Sequence, residues 1–237
     1  MKKIFAGLLM IMMVSAATSQ KTIVNDENAE KREVPAFTGI SVNSAINIYI
    51  SQGDEDGVAV SASEVKYRER IKTEVKNGIL IISYDNQGMH WASGNKKLKA
   101  YISFKNIDKL TASGACDVFV NGILKAARLE LRLSGASDMK GTVDIESLDA
   151  SISGASDMNI NGKVGNLHID ANGASDLKSY DLVVQNCDAE ASGASDIRIT
   201  VEKELNARAS GASDIIIRGN GVIKKSDKSG ASSIKKS

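Results

Sequence analysis

Apolar and polar residues alternate along most of this chain with the period of a half-buried strand. Ile40, Val42, Ile46, Ile48 and Ile50 alternate with polar neighbours. Val58, Val60 and Ala62 resume the pattern after the turn at Gln52–Gly57. Leu98, Ala100, Ile102 and Phe104 carry it again. Ile71 to Lys76 and Ile79 to Ile82 flank Asn77-Gly78, a pair that supplies the positive φ angles of a type I′ hairpin turn. The charged stretch Glu64–Arg70 suits a short helical turn. Beyond about Ile107 the alternation falls into a longer period, set by a recurring phrase.

The phrase Ser-Gly-Ala-Ser-Asp stands complete at Ser134–Asp138, Ser153–Asp157, Ser192–Asp196 and Ser210–Asp214. Variants begin at Ser113, Asn172 and Ser229. Their glycines, Gly114, Gly135, Gly154, Gly173, Gly193, Gly211 and Gly230, are spaced 21, 19, 19, 20, 18 and 19 residues apart. Aligning the repeats on glycine brings Leu129, Leu148, Leu167, Cys187 and Leu205 into one row six residues before it. Rows four and two residues before it hold Leu131, Ala150, Ile169, Ala189, Ala207 and Leu133, Ile152, Ala171, Ala191, Ala209. The row four residues after it holds Met139, Met158, Leu177, Ile197, Ile215 and Ile234. One such unit cannot bury its apolar face alone; stacked units can. The expected fold is therefore all-β, a parallel β-helix or β-solenoid with coils of about 19 residues. Parallel crossovers are overwhelmingly right-handed and the coil length varies, so a right-handed coil is expected. Each phrase is a corner: Gly for backbone freedom, Ser and Asp to bond backbone N–H groups left free at a bend. The last coil departs from the pattern at Lys228 and Ser233. Solenoid caps are atypical in this way, and its lysines discourage pairing with another edge.

Outside the coils the chain divides simply. Lys2 and Lys3, an apolar run from Ile4 to Val14, and Ser15-Ala16-Ala17 have the layout of a secretory signal peptide over residues 1–19. The run is too short to span a bilayer, so no transmembrane segment is expected after cleavage. Residues 20–34, polar and without period, are expected to be a flexible linker. Residues 35–110 form a strand region continuous with the solenoid of residues 111–237. The expected location is the periplasm, the outer-membrane surface or the exterior.

The formal charge of +1 falls to −1 without Lys2 and Lys3, which gives no electrostatic case for nucleic acid. Cys116 and Cys187 lie three or more coils apart, roughly 14 Å at ~4.8 Å per coil. That is too far for a disulfide, and both are expected to be buried.

Candidate chemistry is confined to three places. Stacking aligns Asp117, Asp138, Asp157, Asp176, Asp196 and Asp214 along one edge. Carboxylates about 5 Å apart repel by ~3 kcal/mol at an effective dielectric of 20, so they must be exposed, hydrogen-bonded or cation-bound. The first expectation is that each Asp caps its corner. The alternative makes Asp138, Asp157, Asp176, Asp196 and Asp214 calcium ligands, since an ion bridging two oxygens spans about the coil spacing. The loop from Asp85 to Lys97 carries His90 and Trp91, a candidate contact for a sugar ring or a protein, or a cover for the adjacent strands. His168 falls at an outward strand position. No nucleophile elbow, metal-ligand spacing or phosphate loop appears, so an enzyme is not expected and no cofactor beyond calcium is implied.

The strand Phe37-Thr-Gly-Ile-Ser-Val-Asn-Ser-Ala-Ile-Asn-Ile-Tyr-Ile50 and the Ser-Gly-Ala-Ser-Asp coils together resemble the auto-transporter adhesin head domain, or GIN domain, common in Bacteroidetes. The resemblance runs from about Pro35 to Ile234. It implies an exported, non-enzymatic β-helical domain with no motif-defined site residues. The first expectation for function is a solenoid that binds a protein or glycan partner through its flat faces; an oligomer is compatible with it. Two other functions stay open: an envelope scaffold with a calcium-stabilised Asp ladder, and a carbohydrate-active β-helix enzyme.

Overall fold

In the computed structural model, which describes residues 26–87 and 95–237, the repeats build the body of the molecule. Strands β9 (Asp117–Gly135), β10 (Asp138–Ile152), β11 (Asp157–Ala171), β12 (Asp176–Ala191) and β13 (Asp196–Ala209) pair in parallel in that order. Each is one coil. In β10 the buried residues are Met139, Val143, Ile145, Leu148, Ala150 and Ile152. The alternation slips at Gly141 and again between Ile145 and Leu148. Together with the Ser-Gly-Ala-Ser corner these slips divide the coil into three faces.

Register produces the core. Leu148 lies between Leu129 and Leu167, Ala150 between Leu131 and Ile169, and Ile152 between Leu133 and Ala171. The rows aligned in sequence are thus the stacks inside the solenoid. At the corners the N–H of Ala155 donates to the carbonyl of Gly135 at 2.7 Å, and that of Ala174 to Gly154 at 2.8 Å. The glycines stack so closely that a Cβ at Gly154, where φ is +82°, would lie 2.4 Å from the Gly135 oxygen. The corner needs glycine both for its backbone angle and for that approach.

The N-terminal coils are not stacked in chain order. Strands β2 (Gly39–Val42) and β3 (Asn47–Gln52) form one coil, and β6 (Ile79–Tyr84) and β7 (Lys99–Phe104) another. Strand β8 (Lys109–Gly114) leads into β9. In space β2 lies between β6 and β8, and β3 between β7 and β9, all parallel. The chain therefore lays down the second coil, adds the outermost one, and returns past it. On the way it makes β4 (Gly57–Ser61), a helical turn α1 (Val65–Arg68) and β5 (Ile71–Lys76). Strands β4 and β5 run antiparallel along β7 and β6 and cover the outer edge of the stack. Open strand edges invite association, and this end is closed by the chain itself. Asn77 and Gly78 have φ of 51° and 76°, as the type I′ turn requires.

The expected linker is partly a strand. Strand β1 (Glu30–Arg32) pairs antiparallel with β4. Its hold is polar, which is why hydrophobic patterning missed it. The Asp26 carboxylate accepts from the Tyr101 hydroxyl at 2.8 Å and the Lys99 ammonium at 3.3 Å, and Arg68 donates to the Asn28 carbonyl at 2.9 Å. Burial pushes the Asp26 carboxyl up, but bonds from Tyr101, Asn28, Ser61 and Lys99 outweigh it and hold it below the ordinary value. A depressed carboxylate stabilises the folded form above its unfolded value near 4, and loses that contribution as pH falls through the folded value. Asp26→Asn is expected to speed amide exchange at Glu30–Arg32 at least tenfold near neutral pH while leaving the β10–β13 amides protected. Unchanged exchange at β1 would mean that Asp26 does not pin it. The signal peptide and the His90–Trp91 pair lie outside the described residues.

Candidate binding surface

Each Ser-Gly-Ala-Ser-Asp corner directs its residues differently. The glycine and alanine sit exposed at the apex, the second serine points into the core, and the aspartate turns outward. Ser137, Ser156, Ser175, Ser195 and Ser213 are fully buried. Ser137 Oγ donates to the Ser134 carbonyl at 2.9 Å and accepts the Cys116 N–H at 3.3 Å. Ser156 Oγ accepts the Ser137 N–H at 3.1 Å. Ser195 and Ser213 donate to Ser192 and Ser210 at 2.9 and 2.8 Å. A buried hydroxyl is tolerated because it is bonded, and here the bonds tie one coil to the next. Cys116 takes the same place in the first coil, with Sγ 3.2 Å from the Ser113 carbonyl. Both cysteines are buried and free. Burial pushes both thiols up, so neither is a reactive thiolate at neutral pH.

The aspartates stand in register as expected, Asp117 beside Asp138, Asp157 beside Asp176, and Asp196 beside both Asp176 and Asp214. Their caps differ from the expected local ones, for they reach across coils. Asp138 Oδ1 accepts the Asp157 N–H at 3.2 Å, and Asp176 Oδ1 that of Asp196 at 3.0 Å. Asp214 accepts from the Ser233 hydroxyl at 2.7 Å. A second outward row two residues on neutralises part of the charge. Lys178 lies 2.6 Å from Asp176 and 3.9 Å from Asp157, and Arg198 lies 2.6 Å from Asp196. The hydrogen bond it donates to Asp176 holds the Lys178 ammonium above its usual value. Among the described residues no group of three His, Cys, Asp or Glu side chains is placed to hold a metal ion.

That second row has a feature the sequence reading missed. Tyr101, Tyr49 and Phe119 stack across three coils, with ring centroids 5.2 and 5.0 Å apart. Alternation already turns Tyr49 and Tyr101 outward; the inverted coil order brings them together with Phe119. Their ring faces cover one another, which leaves edges rather than platforms. Stacking a sugar needs an open ring face, so the stack braces the N-terminal coils, and Tyr101 also anchors Asp26.

His168 is exposed on β11, in register with Asp149 and Asp188. Beside it lies an open depression of about 270 Å³, lined by His168, Asp188, Glu190, Asn206, Arg208 and Lys225 among others. Its polar groups are engaged across coils: Asn206 with Asp188 at 2.6 Å, and Arg208 with Glu190 at 2.5 Å. Paired, solvated charges on a flat wall can recognise a partner. No helix among the described residues is long and apolar enough to cross a membrane.

Comparison with known proteins agrees with this architecture. A crystal structure of a putative adhesin from Bacteroides fragilis superposes with a TM-score of 0.77 at 20% identity, over 88% of this chain and 96% of that one. One from Parabacteroides merdae, also a putative adhesin, gives 0.67 at 17%, over 88% and 95%. A putative lipid binding protein from Parabacteroides distasonis gives 0.65 at 18%, over 90% and 98%. These likenesses establish the fold. No curated protein matches the chain. The family model described as "Putative auto-transporter adhesin, head GIN domain" matches residues 36–221. With most of its length so matched, the chain belongs to the GIN-domain adhesin head family.

Proposed function

We propose that this chain is an exported, non-enzymatic binding module of the cell envelope that engages a protein or glycan through the flat outer walls of its solenoid. The supporting observation is the wall itself. In-register rows of short polar and charged side chains, already paired across coils, form a broad rigid surface, as along Asp188–Asn206 and Glu190–Arg208. Such a surface suits many shallow contacts rather than one enclosed ligand. The adhesin-like family supports the same reading.

A glycan-array and host-matrix screen of residues 20–237, run with and without calcium, tests it. The expected result is partner binding without turnover, lost on charge reversal at Asp188 and Glu190. Because the Asp oxygens are bonded to N–H groups, lysine, arginine and serine, the melting temperature is expected to stay the same with millimolar calcium as with a chelator. Silence on every array, with calcium raising the melting temperature, would favour the scaffold function instead. Cleavage of an arrayed polysaccharide would make the chain an enzyme.

A further inference from the structure

The terminal coil differs from all the others. Strands β14 (Asp214–Arg218), β15 (Val222–Lys228) and β16 (Ser233–Lys236) close the stack, with β15 pairing to β13 and β16 to β14. Ser226 and Lys228 stand in register with the buried Ala207 and Ala209, yet both are exposed. A further apolar coil could not settle there without burying an ammonium, which is costly when unpaired. The residues themselves thus make this an end.

It is also a cationic end. Residues 222–237 hold five lysines, Lys224, Lys225, Lys228, Lys235 and Lys236, against the single acid Asp227. Residues 26–110 hold twelve basic and twelve acidic residues, and residues 111–221 hold ten basic and sixteen acidic. Lys224 is paired with Glu204 at 3.4 Å, and Lys236 donates to the Gly221 carbonyl at 3.3 Å. Lys225, Lys228 and Lys235 form no ion pair among the described residues. All five ammonium-bearing residues are exposed, and Val222 at the start of the same coil is 58% exposed.

We propose that this terminal coil docks end-on against an anionic lipid surface. The lysines lie on two sides of one coil end, three on β15 and two on β16, rather than in a row down one wall. A flat sheet of phosphate or carboxylate headgroups can meet them together. A linear polyanion lying along the β16 wall would meet Lys235 and then Arg198 and Lys178, whose charges are already paired with Asp196 and Asp176; along the β15 wall it would run into Asp149, Asp170, Asp188 and Glu190. With the solenoid upright, coils ~4.8 Å apart carry those acids beyond the ~8 Å screening length within about two coils. The acidic flank then opposes lying flat, and the basic end favours standing. The attraction is reversible and salt-sensitive, each lysine contributing about fivefold in partition near an anionic surface. Docking this way leaves the walls free for the partner, and it does not depend on whether they bind one.

Sedimentation of residues 20–237 with vesicles tests the proposal. One arm uses pure phosphatidylcholine and the other phosphatidylcholine mixed with phosphatidylglycerol, each at low and at physiological salt. The expected result is partition at least tenfold stronger to the mixed vesicles, weakening as salt rises. The triple variant Lys225→Gln, Lys228→Gln, Lys235→Gln is expected to lose roughly a hundredfold with an unchanged circular-dichroism melt, while Lys140→Gln and Lys163→Gln on the walls bind normally. Should the triple variant melt early, Lys228→Gln alone is expected to lose about fivefold. Equal partition to both vesicles, or none to the mixed vesicles at low salt, would overturn the proposal. So would lysine-dependent binding of soluble polyphosphate without vesicle binding.

Discussion

Gly154→Ala is expected to destabilise the fold by about 3 kcal/mol, while Gly122→Ala costs only about 1 kcal/mol. Both glycines have nearly the same φ, +82° and +83°, so both substitutions carry the conformational penalty. They differ in what a methyl group meets. At Gly122 nothing lies within 4 Å; at Gly154 the new Cβ would stand 2.4 Å from the Gly135 oxygen and 3.0 Å from its nitrogen. The coils could separate to relieve the clash only by stretching the bond from the Ala155 N–H to the Gly135 carbonyl, now 2.7 Å. Urea titrations of the two variants beside the parent measure the difference. Equal losses would mean that the corner needs glycine for its angle alone, and that the coils do not approach as described.

Leu148→Ala is expected to cost about 2–5 kcal/mol, the range for a buried leucine whose neighbours relax only partly. Leu148 is 2% exposed and stacked between Leu129 and Leu167. Those neighbours are held by parallel ladders on both sides, so they cannot sink into the gap. The counterpart is Ile223→Ala in the terminal coil. Ile223 has one coil above it and a half-exposed side chain, and its loss is expected to be under about 1.5 kcal/mol. Thermal and urea melts of both variants read the gradient from middle to end. A Leu148→Ala protein as stable as the Ile223→Ala one would contradict a core built from stacked rows.

The repeat made much of this legible. Rows aligned on glycine became the core stacks because period-two alternation fixes facing and a constant coil length fixes register. The same logic held the signal for the buried serines. If Met139, four residues after Gly135, points inward, then Ser137 two residues earlier does too, and Asp138 between them points out. Residue polarity obscured that inference. The coil order was not legible, because Ile40, Leu80 and Leu110 can neighbour one another in any order. Apolar stacking does not record which parallel coil comes next. Strand β1 was missed for the opposite reason: Asp26, Arg68 and Tyr101 hold its segment through polar contacts that have no period. The candidate surface followed the same division. The Asp row was predictable from spacing, whereas its bonds to the next coil and its lysine and arginine partners needed the geometry.

Each Ser-Gly-Ala-Ser-Asp phrase turns one coil, and the coils stack in register. Spin labels at Lys140→Cys and Lys235→Cys, with Cys116→Ser and Cys187→Ala, place two probes on the same outward row five coils apart. Electron–electron double resonance is predicted to give one narrow distance distribution, with about 24 Å separating the backbone positions. A broad distribution reaching beyond ~40 Å, as an unstacked chain would show, would contradict it.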